Sequence, residues 1–189
     1  MRGRSSRATL DVMTAQQPDL IRYLGRDFDL VGIDGNGLFD PARHGLQVRP
    51  LHTGCWRGYV CRYRVGDALV LTGVELGLHD PPDELFGAAR TNQCTYAPLA
   101  LPVSFTGRLL LGAGFRRELY VHMGFQAAWK YDEVYELTFG TGRLTATADR
   151  SARIAERRAA QGSLEPPADA ELRSAWIEST FDRSYRGPL

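Results

Sequence analysis

The chain has 189 residues, of which 43% are hydrophobic and 24% are charged, and its formal net charge is +1. This composition is that of an ordinary globular protein and excludes global disorder. Because the net charge is so small, no overall field attracts nucleic acid or an anionic membrane, and we expect neither as a partner. Lys130 is the single lysine, and every other residue of the lysine and arginine total is an arginine. Arginine suits carboxylate and phosphate recognition, but a GC-rich genome produces the same bias.

The cysteines and the N-terminal segment indicate the compartment. Cys55, Cys61 and Cys94 are too few, and odd in number, for a disulfide framework. The basic N-terminal segment lacks the apolar run of a secretory signal, and no stretch approaches the length of a membrane-spanning helix. We therefore expect a cytoplasmic protein with three reduced thiols.

The predicted elements begin after a disordered extension over residues 1–17, and one domain is expected over residues 18–189. A short helix is predicted over Asp19–Leu24, after Pro18. The turn formers Asp34–Gly37 favour a hairpin, and His79–Ala97 is expected to be a long loop. Strand character between turn and breaker residues, with period-two alternation clearest in Cys55–Val65, predicts the strands Asp27–Ile33, Gly45–Arg49, Cys55–Val65, Ala68–Glu75, Leu101–Leu111, Arg116–His122, Tyr131–Phe139 and Arg143–Ala148.

The C-terminal part changes to helical character. Helices are predicted over residues 151–161 and 169–180, the second capped by Asp169. A run of strands followed by helices predicts a mainly β (α+β) fold. We expect an antiparallel meander or a partly closed barrel of about eight strands, with one or two C-terminal helices.

The sequence carries no complete catalytic or cofactor motif. Residues 32–37 (GIDGNG) lack the third glycine and the following helix of a dinucleotide fingerprint, so the hairpin interpretation is favoured. His52 and Cys55 have the best metal-ligand spacing, but it is weak. We therefore predict no metal and no cofactor. Catalytic residues stay unassigned, and whether the chain is an enzyme is left open, with a non-enzymatic function favoured.

The segment Tyr120–Phe125, with Trp129–Tyr131 close behind, is dense in aromatic side chains that have polar tips. Such residues occur in pockets and interfaces, and they also fill ordinary sheet cores. The candidate residues for binding a ligand or a partner are Arg57, Tyr59, Tyr120, His122, Phe125, Trp129, Tyr131 and Asp132.

Four short segments carry a resemblance to a family of uncharacterised bacterial proteins. Their motifs are T-x-C-W-R-G-Y, L-F-G, F-T-G-x-L and Y-V-H-M-G, the last continuing here as YVHMGF. In this chain they fall at Thr53–Tyr59, Leu85–Gly87, Phe105–Leu109 and Tyr120–Gly124. The resemblance covers roughly residues 20–150. It implies a compact bacterial domain, and it implies no activity and no catalytic residue.

Three functional hypotheses follow. The first is a small cytosolic protein-binding module with an immunity or antitoxin-like role, using the aromatic surface around His122–Tyr131 and the loop His79–Ala97. The second is an enzyme or small-ligand binder with a polar pocket in the mouth of a barrel, where Arg57, Tyr59, His122 and Asp132 would converge. The third is a homodimeric structural protein, with the helix around Trp176 packing between subunits.

Overall fold

The computed structural model describes residues 14–122, 124–160, 169, 171–174, 176, 183 and 185. Most of the strands belong to one large sheet, and the mainly β fold class is confirmed. The strands are β1 Leu20–Tyr23, β2 Arg26–Asn36, β3 Tyr59–Val65, β4 Leu69–Leu76, β5 Glu84–Leu85, β6 Ala88–Ala89, β7 Thr95–Tyr96, β8 Leu101–Pro102, β9 Thr106–Phe115, β10 Tyr131–Gly140 and β11 Arg143–Asp149. The helix α1 covers Ser151–Ala160. Three-residue or four-residue 3-10 turns lie at Pro41–His44, Arg117–Leu119 and Ala128–Lys130.

The large sheet has nine strands in the order β11-β10-β9-β2-β1-β3-β4-β7, with β8 also paired to β4. It is a mixed sheet, because β1 and β3 run parallel while the other pairs are antiparallel. Its two ends curl towards each other. Ala68 forms a bridge with Arg143, and the Leu69 amide donates to the Gly142 carbonyl at 2.8 Å. Along the described strands this contact is a single bridge, so the sheet is strongly curved but is not a closed barrel.

The inner face of the sheet forms the main core. In β3 the side chains of Cys61, Tyr63 and Val65 are buried while Arg62 and Arg64 are exposed, the alternation expected of a strand with one apolar face. The opposite wall is supplied by Leu109 and Leu137. Each fully buried large apolar side chain contributes about 1.5–3 kcal/mol, so this interior holds the curved sheet together.

A smaller cluster lies on the outer face, where α1 covers the sheet. Ile154 is the buried side chain of α1, and it packs against Val31, Leu110 and Val134. Asp149 caps the start of the helix by accepting from the Ser151 amide at 2.8 Å. The helix prediction at residues 151–161 is therefore confirmed through Ala160, and Gln161 lies outside the described residues.

The predicted hairpin at Asp34–Gly37 is wrong, because β2 continues through Asn36. Gly35 pairs with Gly107 of β9, and the two backbones approach very closely. A Cβ on Gly35 would lie 2.2 Å from the Thr106 carbonyl oxygen, and a Cβ on Gly107 would lie 2.1 Å from that of Asp34. Both glycines also have positive φ, at +145° and +134°. The glycines therefore serve a cross-strand contact and not a turn.

Three further predicted elements are wrong. Asp19–Leu24 is not helical, because Leu20–Tyr23 pairs with both β2 and β3, and this pairing overrides local helical preference. The chain at Gly45–Arg49 is irregular. The segment Arg116–His122 contains a 3-10 turn at Arg117–Leu119 instead of a strand.

The predicted boundaries also shift at several places. The strand predicted from Cys55 begins at Tyr59, and the one predicted over Leu101–Leu111 is divided into β8 and a longer β9. The loop His79–Ala97 contains only the two-residue strands β5, β6 and β7. In the second predicted helix, residues 171–174 and 176 are helical, and Asp169 accepts from the amides of Glu171 and Leu172 at 3.0 Å each. The rest of that helix lies outside the described residues, as do residues 1–13. Within the described part of the chain, no helix has the length and apolar character needed to cross a membrane.

Candidate functional site

A buried carboxylate lies where β1, β3 and the C-terminal segment meet. Asp19 directly precedes β1 and is 2% exposed. Arg57 donates to it through both terminal nitrogens, at 2.9 and 2.5 Å, and Arg183 donates through Nη1 at 3.1 Å. The Cys61 amide of β3 adds a fourth donor at 2.7 Å. Burial by itself raises the pKa of Asp19, but the two guanidinium groups outweigh it and hold the pKa below its usual value. Asp19 is therefore a permanent anion at neutral pH.

Aromatic rings cover the two guanidinium groups. The Arg57 guanidinium lies 4.7 Å from the ring centroid of Tyr59 and 5.6 Å from that of Phe125. The Arg183 guanidinium lies over the same Phe125 ring, 4.3 Å from its centroid. Such cation–π contacts strengthen as water is excluded, so the rings stabilise charges that burial would otherwise penalise. We refer to Asp19, Arg57, Arg183, Tyr59 and Phe125 as the arginine cluster.

The segment of residues 14–17 connects the loop before β3 with the loop after β9. The Gln16 amide donates to the Gly124 carbonyl at 2.7 Å, and the Gln16 side chain accepts from the Trp56 amide at 2.9 Å. The Gln17 amide donates to Gly54 at 2.6 Å. Residues 14–17, expected to belong to a disordered extension, are thus hydrogen-bonded into the domain. The segments Thr53–Tyr59 and Tyr120–Gly124 meet through them.

A cavity of about 280 Å³ adjoins the arginine cluster. Both charged and aromatic side chains line it. The lining residues are Asp19, Ile33, Gly35, Asn36, Gly37, Leu38, Phe39, Asp40, Arg43, Tyr59, Tyr63, Phe105 and Arg183. Its floor is the end of β2, and its walls come from the 3-10 turn Pro41–His44 and from β3. The cavity therefore lies at one end of the curved sheet.

A second cavity, of about 490 Å³, lies beside the end of β4. Arg49, His79, Arg90 and Cys94 are among its lining residues. Arg90 is paired at 2.8 Å with Asp83, whose side chain is almost fully exposed. This cavity shares no lining residue with the first.

The predicted site residues fall into three groups. Arg57, Tyr59 and Phe125 meet in the arginine cluster, and Tyr59 also lines the smaller cavity. Tyr120 and His122 are exposed and contact each other edge to face at 4.9 Å. The Tyr120 hydroxyl also accepts from the Ala15 amide at 3.0 Å.

Trp129, Tyr131 and Asp132 lie elsewhere. Tyr131 is 3% exposed and donates to Asp29 at 2.8 Å, so it belongs to the outer core cluster. Trp129 is half-buried against the same cluster. Asp132 is exposed and pairs with Arg116 at 2.6 Å. The expected convergence of His122 and Asp132 with Arg57 and Tyr59 is not found, because neither side chain lines the cavity.

The thiols and the single lysine are buried or half-buried. Burial raises the pKa of Cys55 and raises that of Cys61 well above its usual value, so both are protonated at neutral pH. Lys130 is 5% exposed, and burial lowers its pKa to about 8. Among the described residues, no three His, Cys, Asp or Glu side chains lie close enough together to hold a metal ion.

Sequence reasoning missed Asp19, Arg43 and Arg183. A buried strand preceded by an aspartate could have drawn attention to Asp19, but the wrong helix prediction made that residue the start of a helix. No local pattern indicates Arg183, because its contact with Asp19 joins residues 164 positions apart. No protein-family model matches the chain, and comparisons with curated proteins and with solved structures likewise find no match. The site is therefore interpreted from its own geometry.

Proposed function

We propose that this chain is a cytoplasmic binding protein that takes a small ligand, with an apolar body and a polar end, into the cavity beside the arginine cluster. The supporting observation is the lining of that cavity. Phe39, Tyr63 and Phe105 supply aromatic groups, and Asp19, Asp40, Arg43 and Arg183 supply charged ones. Ligand sites in proteins are typically concave and combine apolar and aromatic groups with polar groups that fix the ligand's orientation. The three free cysteines agree with a reducing compartment.

Filling the cavity tests this function. Leu38 is half-buried and lines the cavity, so Leu38→Trp is expected to occupy the space and to weaken the binding of small aromatic and aliphatic fragments by at least about tenfold. Binding is measured by NMR titration of the full chain, following the amides of Ile33, Tyr59 and Tyr63. The matched control is Leu78→Trp, since Leu78 is also half-buried but lines the other cavity. The proposal is wrong if neither neutral nor anionic fragments perturb these amides, or if the perturbation survives Leu38→Trp.

A second candidate function is recognition of a partner protein, with an immunity or antitoxin-like role in bacteria. It is favoured by the exposure of Trp56, at 54%, on a loop whose backbone is held by Gln16. Tyr120, at 38% exposure, lies on the other segment that Gln16 joins. Exposed tryptophan and tyrosine on a fixed backbone are typical of interface hot spots. The partner in this proposal is the product of a neighbouring gene.

Replacing the exposed tryptophan tests this second candidate. Trp56→Ala is expected to weaken one-to-one binding to the neighbouring gene product by at least about 2 kcal/mol, the cost typical of a hot-spot residue. The binding constant is measured by calorimetry after a pulldown with the wild-type chain. Leu24→Ala is the control, because Leu24 is 73% exposed at the turn between β1 and β2. A pulldown that recovers only the protein itself contradicts the candidate.

Two further expectations stay proposals. Membership in the bacterial family with the T-x-C-W-R-G-Y and Y-V-H-M-G motifs rests on those motifs in the sequence alone. A homodimer formed through the helix around Trp176 would be tested by sedimentation of the full chain.

A further inference from the structure

The arginine cluster carries an unbalanced charge. Arg57 and Arg183 are two cations, and Asp19 is the one carboxylate that contacts them among the described residues. The side chains of the two arginines are only 17% and 13% exposed, so solvent screens them weakly. A buried ion without a counter-ion is strongly penalised, and a second anion beside these groups would therefore be stabilised.

Asp19 has no remaining capacity to neutralise the second arginine. Its two oxygens already accept two bonds from Arg57, one from Arg183 and one from the Cys61 amide. A carboxylate offers about four acceptor positions, so all of them are used. A guanidinium has five N–H donors, and only one nitrogen of Arg183 reaches Asp19. The remaining charge of Arg183 lies at the wall of the 280 Å³ cavity.

The other charged pair at the cavity, Asp40 and Arg43, does not change the net charge. Asp40 and Arg43 both line it, and their closest approach is a loose 3.8 Å. Asp40 is also occupied in capping the 3-10 turn, where it accepts from the Ala42 amide at 3.0 Å. The Arg43 side chain is 70% exposed, so it is free of packing constraints and can turn towards a ligand. Among the described residues, the arginine cluster and the Asp40–Arg43 pair together hold three arginines and two aspartates, a net charge of +1, and of these Arg57 does not itself line the cavity.

We propose that the ligand of this cavity is a small monocarboxylate with an aromatic or similarly apolar body, a specification that rests on the proposed ligand-binding function. Its carboxylate lies between Arg183 and Arg43, and its body packs against Phe39, Tyr63 and Phe105. A single negative charge cancels the charge of +1. A phosphate monoester would bring nearly two negative charges and leave the site negative beside Asp19 and Asp40. Arginine forks bind carboxylates in a planar, bidentate arrangement, which also favours this ligand class.

Three probes of similar shape test the inference by calorimetry on the full chain at neutral pH. These are benzoate, the neutral benzamide and the doubly charged phenyl phosphate. Benzoate is expected to bind at least about tenfold more tightly than either of the others, because it alone matches the charge of the site. Arg43→Gln should weaken benzoate severalfold and leave benzamide unchanged. Arg22→Gln is the matched control, since Arg22 is an exposed arginine paired with Asp27 outside the cavity.

The results of these titrations test the monocarboxylate inference separately from the proposed small-ligand function. Equal binding of benzoate and benzamide at the cavity overturns the carboxylate but leaves the small-ligand function standing. Tighter binding of phenyl phosphate overturns the choice of a monoanion. Absence of benzoate binding overturns the inference. The small-ligand function is tested separately, by the fragment titrations that compare Leu38→Trp with Leu78→Trp. Benzoate binding that is indifferent to Arg43→Gln also contradicts the inference.

Discussion

Asp19→Ala is expected to lower the free energy of unfolding by about 3–5 kcal/mol, the range measured when one partner of a buried ion pair is removed. Without the carboxylate, Arg57 and Arg183 would both lie against the Phe125 ring with no described carboxylate in contact with either. The Cys61 amide, at the centre of the sheet, would also lose its acceptor. Urea unfolding of the wild type and the variant at pH 7 measures the difference.

The control for this prediction is another aspartate that pairs with an arginine. Asp27 contacts Arg22 at 3.1 Å, but both side chains are more than half exposed. Asp27→Ala should therefore cost no more than about 1 kcal/mol. If the two variants lose equal stability, the buried cluster does not hold the fold together, and the reasoning from its burial fails.

The dependence of the free energy of unfolding on acidic pH provides a second measurement of the stabilisation by Asp19. The pKa of Asp19 is lower in the folded chain than in the unfolded one, so the folded state favours the ionised form. The stabilisation is complete above the unfolded pKa of about 3.9 and is lost as the pH falls through the lower folded value. The stability difference between wild type and Asp19→Ala should therefore be constant from pH 5 to 7 and shrink below about pH 4. A difference that stays constant down to pH 2 would contradict the assigned pKa direction.

The strands that were predicted well are those whose pattern is local. Tyr131–Phe139 alternates and ends at the turn Gly140–Gly142, and Ala68–Glu75 is rich in leucine and valine and begins at the turn Gly66-Asp67, so composition or period agrees with turn chemistry in both. The stretch Asp34–Gly37 has the same turn residues, yet β2 continues through Asn36. Gly35 is required by the close approach of Gly107, about 70 positions away, and no local pattern shows that contact.

The candidate site was predictable only in part for the same reason. Arg57 and Tyr59 share one strand-like motif, and an arginine near aromatic residues already indicates a binding surface. Their carboxylate partner comes from residue 19 and their second arginine from residue 183, so the cluster assembles only when the chain is folded. Tyr131 was predicted as a binding residue but belongs to the outer core cluster, because an aromatic residue with a polar tip packs in a core as readily as it lines a pocket.

Lys130→Met is expected to change the pH dependence of stability more than any other single cationic substitution. The Lys130 ammonium is buried, donates to Gln126 at 2.7 Å and lies 5.4 Å from the Trp129 ring centroid. Among the described residues no carboxylate pairs with it, and burial lowers its pKa to about 8. The unfolded chain therefore binds more protons at this lysine between pH 8 and about 10.4, and stability must rise with pH across that interval.

The comparison between the two proteins isolates this effect, because every other titrating group is common to both. The free energy of unfolding of the wild type, relative to Lys130→Met, should increase by roughly 3 kcal/mol between pH 7 and pH 10.5, at 1.36 kcal/mol for each unit of pKa difference. Urea unfolding at several pH values measures it. Arg64→Met, which removes an exposed cation that does not titrate in this range, should show a difference that is flat with pH. If the Lys130→Met difference is equally flat, the ammonium keeps its ordinary pKa, and Lys130 must reach solvent or an anion in the folded chain.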